Sequence, residues 1–271
     1  MKTPQTSMLI CSLILTAANA LGADPTHPTF RAMKHGVNAQ LSAATYATAD
    51  QVPSSIFFQP KAVDGFAADA SHLAGARTMI REAVRGTLRD LGPEAAAREL
   101  RSSLVDWNAS GRHVQQTSYA APDGSTFVFL AYTLYWGPEG SPNVSNTLEV
   151  FRTREGAEAV AVATFRDILP QSELAVDVLR DGDSLLLLAH GNVVELSNTQ
   201  HLGVYLLNLA GTATLIPQWD RTLKGAEIQI AENRGSFSLK SDETLGKESH
   251  EWVPMKRNQT CSPKNGRWTC H

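Results

Sequence analysis

Between Thr126 and Trp136 the chain reads Thr-Phe-Val-Phe-Leu-Ala-Tyr-Thr-Leu-Tyr-Trp, rich in aromatic and β-branched residues. Side chains alternate sides along a strand, so a run that is apolar at odd and even positions alike must be covered from above and below. A strand of this kind needs at least two further layers around it. The rest of the chain is read against that requirement.

Beyond Gly111 the texture stays extended. Further strands are expected at Thr147–Thr153, Leu174–Leu179, Leu185–Ala189, Val193–Leu196, Val204–Leu209, Thr212–Ile216, Ala226–Ile230 and Ser236–Leu239. Turn signals separate them, among them Pro122-Asp123-Gly124, Gly137-Pro138, Asp181-Gly182-Asp183, Gly191-Asn192 and Asn233-Arg234-Gly235. Many short strands with frequent turns suit an antiparallel sandwich, barrel or propeller-like sheet, and no repeat at a fixed period supports a regular propeller. Arg154–Leu169 reads equally as helix or strand.

Ahead of this body the period changes. Leu73, Ala76, Ile80, Val84, Leu88 and Leu91 recur at steps of three and four, placing them on one helical face. Gly92-Pro93 ends that helix, and Pro93-Glu94 suits the first turn of a second. Ala97, Leu100, Leu104 and Trp107 continue it. The expected fold is therefore α+β: a short N-terminal helical pair within residues 68–110, then a mostly antiparallel β-rich body over 111–271. Residues 21–67, rich in Ala, Thr, Ser and Pro without sustained period, read as a flexible arm or linker. Within it Ser55-Ile56-Phe57-Phe58 is a short apolar patch suited to docking on the folded part.

Residues 1–20 read as a secretory signal peptide. Lys2 opens a basic start, Met8–Leu15 forms an apolar core, and Ala18-Asn19-Ala20 offers a peptidase site. The apolar core is far short of the ~20 residues that span a bilayer, and no later run approaches that length. No transmembrane segment is expected in the mature chain, and its location is secreted or periplasmic. Cys11 leaves with the leader. Cys261 and Cys270 remain, flanking an Asn265-Gly266 turn signal. In an oxidising compartment such a pair reads as a disulfide closing a C-terminal hairpin.

The balance of 24 basic against 27 acidic residues, for a net charge of −3, gives no global reason to expect a nucleic-acid partner. No phosphate-binding or dinucleotide glycine motif, zinc-protease motif or calcium loop is present, so neither a cofactor nor a metal is expected. One local charge feature stands out. Arg77, Arg81, Arg85 and Arg89 recur every fourth residue, forming a gently winding basic stripe, and Arg98 and Arg101 add charge on the next helix. The stripe suits an anionic partner such as a lipid head group, a polysaccharide or an acidic protein surface. It also suits a solvated helix face with Glu82 and Asp90 as local partners.

Gly182-Asp183-Ser184-Leu185 resembles the nucleophile block of the GDSL esterases and lipases. That family places the serine near the mature N-terminus and an Asp-x-x-His pair after it. Here the spacing occurs only at Asp24–His27 and Asp69–His72, both upstream. The string reads instead as a hairpin turn. His190, with Ser184, Asp177 or Asp183 as conceivable partners, closes the same expected strand, and a regular strand would hold Ser184 and His190 about 20 Å apart. Asn108, Asn143 and Asn258 begin glycosylation triplets but carry no function by themselves. Two function classes follow. The first is a non-catalytic binding or interaction module of the cell envelope or extracellular space, with another envelope protein, a glycan or an anionic surface as partner and Trp136, Trp219 or Trp252 as contact points. The second is a secreted hydrolase whose active site is assembled only by folding.

Overall fold

A computed structural model of the chain describes residues 28–49, 67–104, 114–136 and 143–271, apart from 156, 182–183, 195, 197, 211–212, 233, 247–250, 256–257 and 265–266. The expected signal peptide, the apolar patch at 55–58 and the turn residue Asp183 lie outside the described residues.

The long apolar run is strand β2 (Thr126–Trp136), paired along its whole length with β3 (Asn143–Thr153). β1 (Gln115–Ala120) flanks β2, and β4 (Val160–Arg166) flanks β3, giving an antiparallel sheet in the order β1-β2-β3-β4. The ambiguous Arg154–Leu169 stretch is thus resolved as strand, because Val160, Val162 and Phe165 find a sheet edge to extend. β1 has no apolar alternation and was not expected from sequence. Its Gln-Gln-Thr-Ser core is extended because β2 offers a partner, a tertiary effect that overrides propensity.

Both faces of β2 are covered, as its composition demands. Val128, Leu130, Tyr132, Leu134 and Trp136 meet the helices, while Phe127, Phe129 and Ala131 meet a second sheet. That second sheet contains β5 (Ala175–Asp181), β6 (Ser184–Asn192), β7 (Thr199–Asn208), β8 (Thr214–Lys224), β11 (Glu243–Leu245) and β12 (Trp252–Pro254), in the order β12-β11-β8-β7-β6-β5. Its strand β6, flanked by β5 and β7, is again buried from both sides: Leu187 and Ala189 face the first sheet, while Leu186 and Leu188 face a third. The third sheet runs β14-β13-β10-β9, from β9 (Glu227–Ile230), β10 (Phe237–Lys240), β13 (Asn258–Lys264) and β14 (Arg267–Cys270). The described residues therefore stack as helices, sheet, sheet, sheet. Each sheet is antiparallel and open in the described residues, a stacked arrangement and not a closed barrel or a propeller.

Three helices cover the outer face, where a pair was expected. α2 (Ala67–Leu91) and α3 (Pro93–Leu104) stand where the period places them. Gly92 separates them at φ +74°, a left-handed conformation that glycine adopts without steric cost, and its amide closes onto Leu88 O at 3.0 Å. The correction is α1 (Pro28–Ala49), a 22-residue helix within the stretch expected to be a flexible arm. Phe30, Met33, Val37, Leu41 and Ala44 do recur at steps of three and four, and all are buried. The stripe is only one residue wide per turn amid Ala, Thr and Asn, and it is buried mainly against α2, with α3 and β2 completing the cover. The packing there is close: a β-carbon on Gly36 would lie 2.6 Å from Met79 Sδ.

Val193–Leu196 is a second correction. Among its described residues Val193 forms a single bridge to Ser172 and lies in no strand, and Leu196 N donates to Val193 O at 3.4 Å. The apolar residues there serve a corner between β6 and β7. At the chain's end Cys261 and Cys270 lie directly opposite each other on β13 and β14 and are joined as a disulfide. Cys261 is fully buried beside Phe237, Leu239 and Trp268, so the bridge belongs to the outermost core. Among the described residues no helix is long and apolar enough to cross a membrane.

Candidate functional site

The arginine stripe does not remain a uniform basic face. Arg77 is only 4% exposed and enters the contact between α2 and β3. Its Nε donates to Thr147 Oγ1 at 3.0 Å and its Nη2 donates to Ser145 Oγ. Ser145 Oγ in turn donates to Asp167 Oδ1 at 2.6 Å. One turn along, Arg81 Nη1 donates to Thr164 Oγ1 at 3.2 Å, and Thr164 donates to Glu149 Oε2 at 2.6 Å. Tyr132 reaches Glu149 Oε1 from β2 at 3.4 Å. Arg85 pairs with Glu82 at 2.6 Å and Arg89 with Asp90 at 2.9 Å, both on the solvent side. Arg101 donates to Val114 O from α3, and Arg98 is exposed.

This network arises from strand alternation. Ser145, Thr147 and Glu149 share the helix-facing side of β3, and Thr164 lies across from Glu149 on β4. Burial pushes the Glu149 carboxyl above its usual range, opposed by the Thr164 hydrogen bond and by Arg81 and Arg77. Burial likewise lowers the Arg77 guanidinium and raises the Tyr132 hydroxyl. Arg77, Tyr132, Ser145, Thr147 and Glu149 are buried and partnered, while Arg81, Thr164 and Asp167 reach the surface at the edge of the network. The arrangement holds a helix on a sheet.

A second polar group pins the crossover from the first sheet to the second. Asp167 and Gln171 both sit at φ +48°, unusual for residues with side chains. Asn146 Nδ2 donates to Ser172 O at 3.0 Å and also to Leu169 O, Thr133 accepts from Leu174 N, and Tyr205 donates to Ile168 O at 2.9 Å. Burial and nearby Asp220 push the Tyr205 hydroxyl up to about 12. Ser172 Oγ lies 2.8 Å from His201 Nδ1 and donates to Pro170 O at 2.9 Å. With its proton committed to that carbonyl, Ser172 accepts from the ring. Burial lowers the His201 pKa, favouring the neutral imidazole. Ser172 is fully enclosed, so this serine–histidine contact is closed to an acyl substrate.

The pair read from sequence also fails to meet. Ser184 is opposite Asp181 and His190 is opposite Ala175, at the two ends of the β5–β6 hairpin. His190 Nε2 instead lies 3.5 Å from Asp177 Oδ2. Trp136 is buried at the end of β2, while Trp219 and Trp252 are half-buried beneath Arg221 and Lys224. Among the described residues no cluster of three His, Cys, Asp or Glu could hold a metal ion.

Among the described residues, the flank between the first two sheets is open to solvent. A groove of about 490 Å³ is lined by Thr164, Phe165 and Arg166 of β4, Ile168 of the crossover, Tyr205 of β7 and Leu215 of β8. It is shallow, with Phe165, Ile168, Tyr205 and Leu215 beside Thr164 and the exposed Arg166. Sequence reasoning missed every one of these residues, because the groove combines short pieces of strands distant along the chain. A scan against protein-family models finds no match, and neither does a search of the curated proteins.

Proposed function

We propose that this chain is an exported, non-catalytic binding module of the cell envelope or extracellular space, holding its ligand at the open flank between β4 and β8. The observation that carries this reading is the groove itself, shallow and open, in which Phe165, Ile168, Tyr205 and Leu215 lie beside Thr164 and the cationic Arg166. The leader-like residues 1–20 and the Cys261–Cys270 disulfide support an oxidising destination. The separation of Ser184 from His190 and the enclosure of Ser172 weigh against the hydrolase alternative.

The test uses the mature protein beginning at Leu21, screened against displayed peptides and arrayed glycans. Leu215→Trp, which fills the groove, is screened in parallel after its thermal unfolding has been compared with the parent. Ligands should bind the parent and be lost in the variant. Ligands retained by the groove-filled protein, or none bound by the parent, would overturn the assignment.

A further inference from the structure

We infer that the groove accepts an extended polypeptide by strand addition to β4, and that this segment alternates acidic with apolar residues. The inference rests on the binding reading above and specifies its partner.

β4 is an edge. Among the described residues it pairs with β3 alone. Native edges are guarded by charge, proline or bulges, because their free amides and carbonyls attract other strands. The free half of β8, Thr214–Arg221, follows that practice with Pro217, Asp220 and Arg221. β4 is guarded less: a bulge interrupts its pairing with β3 between Val150 and Phe151 and Arg166 closes it, but Val160-Ala161-Val162-Ala163-Thr164-Phe165 has no charge and no proline, and Val160 is 58% exposed.

The register says which groups are presented. Asp167 N donates to Asn146 O at 2.9 Å, so 167 and 146 form a hydrogen-bonded pair. In an antiparallel ladder such pairs alternate, which assigns Phe165 and Ala163 to β3 and turns the backbone of Thr164 and Arg166 outward. Side chains opposite one another share a face. A residue bonded to Thr164 or Arg166 would therefore project to the helix side, towards Arg166, Arg81 and Arg85. Arg166 and Arg85 are exposed there, and Arg81 is partly so. Glu82, beside both Arg85 and Arg81, and the exposed Asp167 next to Arg166 offset part of this charge. The intervening residue, opposite Phe165, would project into the groove over Ile168, Tyr205 and Leu215. Acid on one face and an apolar side chain on the other is the complement of this edge.

The probe is a fluorescein-labelled peptide of four Glu-Val repeats, read by anisotropy against the mature chain. It should bind saturably with a Kd tighter than about 1 mM. A Lys-Val counterpart, or Arg166→Glu in the protein, should weaken binding about fivefold, while Arg166→Lys retains it. Backbone N-methylation separates the alternatives. Methyl groups on the glutamate amides, which face β4, should abolish binding; methyl groups on the valine amides, which face away, should leave it. Equal binding of both methylated peptides would overturn strand addition while leaving a groove-binding module intact. No saturable binding of the Glu-Val peptide would overturn this choice of partner, and the groove-filled variant would decide the broader reading separately.

Discussion

β3 separates two interiors of different chemistry. Towards the second sheet it presents Leu148 and Val150, which join Phe129, Val176, Leu187 and Leu207 in an apolar contact. Towards α2 it presents Ser145, Thr147 and Glu149, all buried, and α2 answers with Arg77 and Arg81. The sheet–sheet contact gains its stability from area removed from water, which has no direction. The helix–sheet contact is also largely apolar, but where α2 crosses β3 it adds hydrogen bonds with defined donors and acceptors, which do have direction. The first interior tolerates small displacements; the second specifies where along β3 the helix must lie.

The difference can be broken from either side. Arg77→Ala removes the cation that serves Thr147, Ser145 and the acids behind them, and should cost about 3–5 kcal/mol, because it strands buried polar groups. A loss below about 1 kcal/mol in urea unfolding would deny the network any structural role. Leu187→Ala, in the apolar interior, should cost about 3 kcal/mol as lost transfer energy plus cavity. Its cost should not vary across mildly acidic pH, since no titrating group is near enough in that cluster to respond.

Away from both interiors, replacing Cys261 and Cys270 by serine should cost about 2–3 kcal/mol, the unfolded-state entropy of a short closed loop. Equal midpoints with and without reductant would contradict this. A smaller effect is expected at Glu149→Gln, which keeps an acceptor for Thr164 and removes a buried charge. The change at neutral pH should stay within about 1 kcal/mol.

The pH profiles sharpen the same comparison. The Glu149 carboxyl has a folded pKa above its ordinary value of 4.5, so the folded state binds the extra proton between the two values. Its contribution is complete below 4.5 and is lost as pH rises through the folded pKa; Glu149→Gln should flatten that slope. His201 acts in the opposite sense. Its folded pKa lies below 6.5, so its contribution is present above 6.5 and is lost as pH falls through the folded value. His201→Gln should remove that acid-side loss, the smallest of these effects. An unchanged profile in either variant would show that the group does not titrate with folding.

Local pattern carried much of the architecture. The two-faced run at Thr126–Trp136 demanded cover on both sides and received it, and Gly92-Pro93 ended one helix and began the next. Cys261 and Cys270, flanking a turn signal, meet across one hairpin. Where pattern failed, a partner elsewhere supplied the missing stability. α1 was hidden because a narrow apolar stripe is insufficient in isolation and adequate against α2; β1 was hidden because polar residues become a strand beside β2. The arginine stripe shows the same limit within one element. Its period was legible, but only the depth of β3 beneath it sends Arg77 inward while Arg85 stays with Glu82 at the surface.

Taken alone, the sequence determined the helix pair around Gly92-Pro93, the covered strand and the cysteine pair, since each depends on neighbours a few residues away. The tertiary structure alone decided the buried Arg77–Glu149 network and the groove beside β4. Both bring together residues far apart in the chain, and the energy that selects such contacts exists only once the layers have stacked.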